Sequence, residues 1–255
     1  MDIILKIKEE LNVEKWQVEA AVKLIDEGNT IPFISRYRKE ATGSLNDEQL
    51  RNLGERLTYL RNLEDKKAQV ISSIEEQGKL TDELRIKIEE AQTLVVVEDL
   101  YRPYRPKKKT RASVAKEKGL EGLAEFILAQ NATEEIEVEA AKYIRKEKEV
   151  ADTKQAIQGA MDIIAEKISD EADYRSYIRQ ATMEEGKITS SVKDEQTQSV
   201  YEMYYNFEEP VNKVAGHRVL ALNRGEKEKI LTVKIIAPVD RILLFLDTKT
   251  ITNDN

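Results

Sequence analysis

Cysteine is absent from the 255 residues, and histidine occurs once, at His217. Disulfides, thiolate nucleophiles and cysteine-ligated zinc or iron–sulfur sites are therefore excluded, and no two-histidine metal site fits within one chain. No cofactor is expected. Turn-formers are scarce: 10 Gly and 5 Pro amount to about half the usual share. Aromatic residues make up only 6%. An all-β sandwich needs a turn signal about every 8–12 residues, and such spacing is missing. The longest apolar runs, Leu94–Val97 and Ile242–Leu246, fall far short of the ~18 residues of a membrane span. The opening MDIILKIKEE lacks the apolar stretch of a secretory signal. A soluble, cytoplasmic chain without a membrane partner is expected.

What is abundant is charge. Charged residues are 35% of the chain, 41 basic against 48 acidic, for a net charge of −7. Glu, Lys, Arg and Ala dominate, which favours helices. The apolar pattern agrees. Ile3, Ile4, Leu5, Ile7 and Leu11 give a first short helix an apolar face, and Trp16, Ala20, Val22, Leu24 and Ile25 a second. Asn12 is expected to cap the second helix, and Gly28-Asn29 to end it. Thr30 and Pro32 then open a third, IPFISRYRKE, whose last turn is expected to carry Arg36, Arg38 and Lys39. Three short helices with tight turns form a helix-turn-helix-like pattern. From Asp47 a long helix follows, with Leu50, Leu53, Leu57 and Leu60 spaced 3, 4, 3. Glu64 and Lys67 interrupt a stripe that Ile71 and Ile74 resume. The returning segment 84–100 completes a helical hairpin, and its run Leu94–Val97 predicts burial on all sides.

The most unusual stretch comes next. Residues 102–118 hold Arg102, Arg105, Lys107, Lys108, Lys109, Arg111, Lys116 and Lys118 against Glu117 alone. Pro103 and Pro106 predict extended backbone there. Clustered cations neutralise phosphates, and Tyr101 and Tyr104 are placed to stack on bases. Two other readings stay open: a connector that packs both tyrosines on the core, or a surface for an acidic protein. Arg36, Arg38 and Lys39 carry the same choice between phosphate contact and helix-dipole stabilisation, with Arg36 also a candidate partner for a buried carboxylate. Further helices are expected at 112–118, 120–130 and 134–148, and one long helix from about 153 to 185. Strands are expected at 187–193 and 229–236, with helices at 211–226 and from Pro238 to Leu246.

Three blocks carry a family resemblance: IPFISRYRKEATGSLNDEQLRNL, EDLYRPYRPKKKTRASVAKEKGLEGLA and KVAGHRVLALNRGEKEKILTVKI. In this order they strongly resemble the bacterial Tex family of transcription accessory proteins. Family members are much longer and continue with an RNase-H-like domain, helix-hairpin-helix units and an OB-fold RNA-binding domain. The resemblance implies a helical N-terminal region and a whole protein that binds RNA or DNA. On that basis residues 1–210 are a helical N-terminal region, with the hairpin within 1–100 and a basic connector at 101–111. Residues 211–255 begin a central region, and the chain stops before the RNase-H-like domain.

Catalytic signatures are missing. SDEADYR at 169–175 resembles a helicase box, but the phosphate-binding loop GxxxxGK[ST] that a helicase requires does not occur. His217 has no nucleophile motif beside it, and its segment lacks the strand-then-glycine context of a dinucleotide site. The expectation is a non-enzymatic, mainly α, elongated array of helices with a small β element near its C-terminal end. It touches nucleic acid, or the transcription machinery, through basic patches and takes no small-molecule substrate. The alternative is a helical protein-interaction scaffold without nucleic-acid contact.

Overall fold

A computed structural model describes residues 1–253 except 107, 132, 133, 193 and 195. The fold is mainly α, with thirteen α-helices and three strands among the described residues. It divides into two compact units, Met1–Tyr104 and Arg105–Asn255. This division falls inside the basic stretch.

The first unit contains α1 (Ile3–Leu11), α2 (Lys15–Asp26), α3 (Ile31–Tyr37), α4 (Asp47–Glu76), α5 (Asp82–Glu90) and α6 (Leu94–Tyr101). Asn12 does not cap α2. It ends α1 in a left-handed conformation, φ 51°, and Glu14 caps α2 instead. Asn46 and Gln49 close a capping box that starts α4. Helix α4 then runs for 30 residues with Leu50, Leu53, Leu57, Leu60, Leu63, Val70 and Ile74 buried. Helices α1, α2, α3, α5 and α6 all pack on it.

The apparent break in the stripe is filled. Lys67 is buried within it, 3% exposed. Its ammonium donates to Glu64 Oε1 at 2.9 Å and to the Glu89 carbonyl at 2.7 Å. A buried cation is tolerated only when paired in this way. Burial pushes the Glu64 carboxyl up, but hydrogen bonds from Lys67 and the Met1 ammonium outweigh it and hold the group below its ordinary range. The returning arm is two helices, α5 and α6, parted at Ala91. Within its apolar run Val97 is buried but Val95 is half exposed. The run therefore presents one face to the core and another to solvent.

The second unit opens with α7 (Arg111–Glu117), α8 (Glu121–Ala129), α9 (Ile136–Ala141) and α10 (Thr153–Asp170). Alanines 112, 115, 124, 140, 156 and 160 line their core, which lets the helices approach closely. The expected helix from 153 to 185 is broken at Glu171, which is extended (ψ 117°) and separates α10 from α11 (Ala172–Glu185). The expected 134–148 helix shortens to α9 and a 3-10 turn at 146–148.

The β element is a three-stranded antiparallel sheet of order β2-β1-β3, formed by β1 (Lys187–Val192), β2 (Asn206–Pro210) and β3 (Leu231–Ile236). Lys187 of β1 lies opposite both Pro210 and Ile236. The sequence reading missed β2, whose burial alternates but whose five residues contain three polar ones and a proline. Helix α12 (Gly216–Lys227) packs Leu222 with Leu231, Tyr201 and Tyr204. Gly225 permits this approach, because a Cβ there would lie 2.6 Å from Leu231 Cδ1. Helix α13 (Val239–Thr250) docks on α11 through Phe245, stacked on Tyr177 at 3.7 Å. Arg241 pairs with Glu184 and Glu185 beside it.

Because α4 is the shared support of the first unit, truncation of its stripe is expected to be costly. Leu53→Ala should lower stability by about 2–5 kcal/mol, read from urea denaturation. An unchanged midpoint would contradict this packing.

Candidate nucleic-acid interface

The first candidate cations sit on a short, firmly held segment. Thr30 caps α3 by accepting from the Phe33 amide, with Pro32 in the first turn. Ile34 and Ser35 are the buried face of α3. Ile31 reaches α4, where its Cδ1 lies 3.2 Å from the Cβ position of Gly54. Phe33, Arg36 and Tyr37 are left facing solvent.

The helix ends sooner than expected. Arg36 lies in the last turn, Arg38 is the C-cap and Lys39 lies beyond it. The helix dipole therefore accounts for Arg36 but not for all three cations. Buried Thr42 ties the following turn, its hydroxyl donating to the carbonyls of Arg38 and Lys39 at 3.3 Å each. Gln17 of α2 donates to the Gly43 carbonyl at 2.9 Å. Gly43 is left-handed, φ +63°, and a Cβ there would overlap the Trp16 ring. Only glycine meets both demands. The backbone carrying Arg38 and Lys39 is thus fixed from two sides.

The charges on it are unusually free. Every Arg and Lys of α4 pairs with a carboxylate: Arg51 with Asp47, Arg56 with Glu10, Arg61 with Asp26, Lys66 with Glu98 and Lys67 with Glu64. Arg36, Arg38 and Lys39 are exposed and form no ion pair among the described residues. Arg36 does not serve a buried carboxylate. Arg38 lies over the Phe33 ring, 5.8 Å from its centroid. Phe33 and Tyr37 form an outward pair with ring centroids 5.3 Å apart, with Tyr37 70% exposed. Their i, i+4 spacing around an arginine was the available signal.

The second candidate stretch is built differently. Residues 102–104 form a 3-10 turn, not extended backbone. Tyr101 and Tyr104 pack against the core of the first unit. The Tyr101 hydroxyl is 3.0 Å from Ser73 Oγ, and the Tyr104 carbonyl accepts from Gln77. Neither ring is a free stacking surface. Arg102 is exposed and engaged by a neighbour. Lys107 lies outside the described residues. In the second unit Arg105, Lys108 and Lys109 are exposed without an ion pair among the described residues, while Arg111 reaches Asp162 at 3.6 Å. Lys109, Arg111 and Lys118 share a cleft of about 470 Å³ with Glu149 and Asp162, so its charge is mixed. Among the described residues no group of three or more His, Asp or Glu side chains is arranged to hold a metal ion. Nor is any described helix long and apolar enough to cross a membrane.

Comparison with known proteins assigns this architecture. Residues 1–75 match the Tex-like protein N-terminal domain, and residues 131–243 match the Tex central region. The chain belongs to the Tex family. It is 49% identical over 251 residues to the uncharacterized protein YdcI of Bacillus subtilis (strain 168), covering 97% of this chain and 35% of that protein. It is 42% identical to the transcriptional accessory protein Tex of Neisseria gonorrhoeae, covering 92% of this chain and 31% of that one. The human S1 RNA-binding domain-containing protein 1 is 30% identical over 92% of this chain and 24% of its own length. The chain thus spans about a third of the length of its bacterial relatives.

Gly43→Ala should cost about 1–3 kcal/mol, from left-handed strain and overlap with Trp16. Trp16 is the single tryptophan, so its emission during urea unfolding reports the change directly. A stability equal to that of the unaltered chain would contradict the tight seat of this loop.

Proposed function

We propose that this chain is the N-terminal, non-enzymatic part of a cytoplasmic transcription accessory protein and contacts RNA or DNA itself. One observation carries the reading. On an acidic chain whose long helix pairs every cation, Arg36, Arg38 and Lys39 stand exposed and, among the described residues, without a carboxylate partner. Such cations displace condensed counterions from a phosphate backbone, so a local cluster binds a polyanion despite net negative charge. Arg105, Lys108 and Lys109 add a second set in the second unit. The names of two relatives point the same way, one a transcriptional accessory protein and one an S1 RNA-binding domain-containing protein. The helix-turn-helix-like reading of α1–α3 rests on their short lengths and tight turns.

A second reading has its own support. Val239 and Leu243 lie one turn apart on α13, and both are exposed, as are Leu244 and the β3 residues Ile235 and Ile236. Exposed apolar clusters mark protein contacts, which suits a scaffold that presents other domains.

Salt dependence separates the two. Each phosphate contact contributes about 0.9 to the slope of log K against log salt for duplex DNA and about 0.7 for single strands. Replacing Arg36, Arg38 and Lys39 together by Ala should flatten the slope by roughly 2–3. Stability should change by less than ~0.5 kcal/mol per site, because the side chains are exposed. An unchanged slope would remove this segment from the interface and favour the scaffold.

A further inference from the structure

We infer that the open edge of β3 takes an extended segment of a partner protein, apolar on one face and acidic on the other, as a fourth strand of the sheet. The site lies wholly in the second unit, and the inference does not depend on the nucleic-acid reading. Register decides which groups of β3 are available. The Val192 amide donates to the Tyr205 carbonyl at 3.3 Å, and the Val211 amide to the Gly186 carbonyl at 2.9 Å. Both bonds continue the pairing of β1 with β2, so even-numbered residues of β1 bond toward β2 and odd-numbered ones toward β3. Lys187, Thr189 and Ser191 stand opposite Ile236, Lys234 and Thr232. The backbone groups of those three β3 residues are therefore turned to β1, and the Thr189 hydroxyl also donates to the Lys234 carbonyl. The groups of Val233 and Ile235 point the other way, where no strand lies among the described residues.

The two edges of the sheet differ. On β2 the outward positions include Glu208 and Pro210, one a carboxylate and the other without an N–H. Both are devices that keep a further strand from adding. The sequence of β3, LTVKII, has neither proline nor acid. Val233 packs against the cluster of Leu222 and Leu231, and Ile235, on the same face, is 61% exposed. An incoming strand with apolar residues on that face covers Ile235 while its backbone answers the open groups of Val233 and Ile235. The opposite face sets the charge. There Lys187 is paired with Glu208, whereas Lys234 is exposed without an ion pair among the described residues. A lone edge lysine discourages a strand that brings no acid and favours one that does. A second copy of β3 brings no carboxylate, so the chemistry fits a partner segment with Asp or Glu opposite Lys234.

The test follows backbone amide exchange by NMR in the 255-residue chain, with the synthetic peptide Thr-Val-Glu-Val-Thr-Val-Thr as probe. In the free chain the amides of Val233 and Ile235 should exchange faster than those of Thr232, Lys234 and Ile236. Saturating peptide should slow both to the rate of their neighbours. Of two peptides N-methylated at alternate residues, one should lose binding and the other keep it, because only every second N–H of an added strand faces β3. Lys234→Glu should weaken the acidic peptide by up to about fivefold, and a peptide with Lys in place of Glu should recover the loss. Melting curves should coincide, because the side chain is exposed. Protection of Val233 and Ile235 in the free chain overturns the inference, and if it rises with chain concentration it assigns the edge to a second copy. No protection by the peptide, equal effects of the two methylated peptides, or indifference to the charge reversal also overturns it.

Discussion

Leu50, Leu53, Leu57, Leu60 and Leu63 of α4 are sealed from solvent, and the first unit is organised by the need to keep them so. One 30-residue helix cannot bury its own stripe. Helices α1, α2 and α3 cover one length of it, and α5 and α6 return along it. Lys67 occupies a place in the stripe where an apolar residue would serve, and its ammonium is satisfied by Glu64 and the Glu89 carbonyl. The bond to the Glu89 carbonyl ties α4 to the returning arm. With Ile31 of α3 set against α4 and Ile34 buried, Phe33 and Tyr37 of α3 are left exposed. The candidate interface is the remainder of that geometry.

Electrostatics divides the basic residues into two populations. Those on α4 are spent on carboxylates at 2.5–2.9 Å. Hydrogen bonds from Arg56 and Arg61 hold the carboxyls of Glu10 and Asp26 below their ordinary range. Exposed pairs of this kind add little to stability. Their larger effect is to remove those cations from competition for a polyanion. Arg36, Arg38, Lys39, Arg105, Lys108 and Lys109 are outside that network among the described residues. Net charge is therefore a poor guide for this chain, and the distribution of unpaired charge is a better one.

Much of the fold was legible in the sequence because periodicity states burial. The 3, 4, 3 spacing of leucines specified α4, and Thr30 with Pro32 specified the start of α3. What failed was local competition that periodicity does not encode. Nothing in the composition around Glu171 signals an extended residue between two helical stretches. Strand β2 is too short and polar to stand out, and it exists because β1 offers an edge. The Leu94–Val97 run implied full burial, yet a helix turns successive residues through its faces and leaves Val95 outward. The candidate site divided in the same way. The cations were visible as charge. Which aromatics they accompany was not, because Tyr101 and Tyr37 are alike in sequence and differ only in what packs on them. Tyr101 has Ser73 and the core, and Tyr37 has solvent.

The central claim is that the α3 segment meets nucleic acid through its exposed cations. Ultraviolet cross-linking of the chain to a single-stranded oligonucleotide, followed by mass spectrometry of the adducts, locates the contact residue by residue. The account predicts adducts on the peptide containing Phe33 and Tyr37. Adducts confined to other segments, with that peptide recovered unmodified, would contradict it.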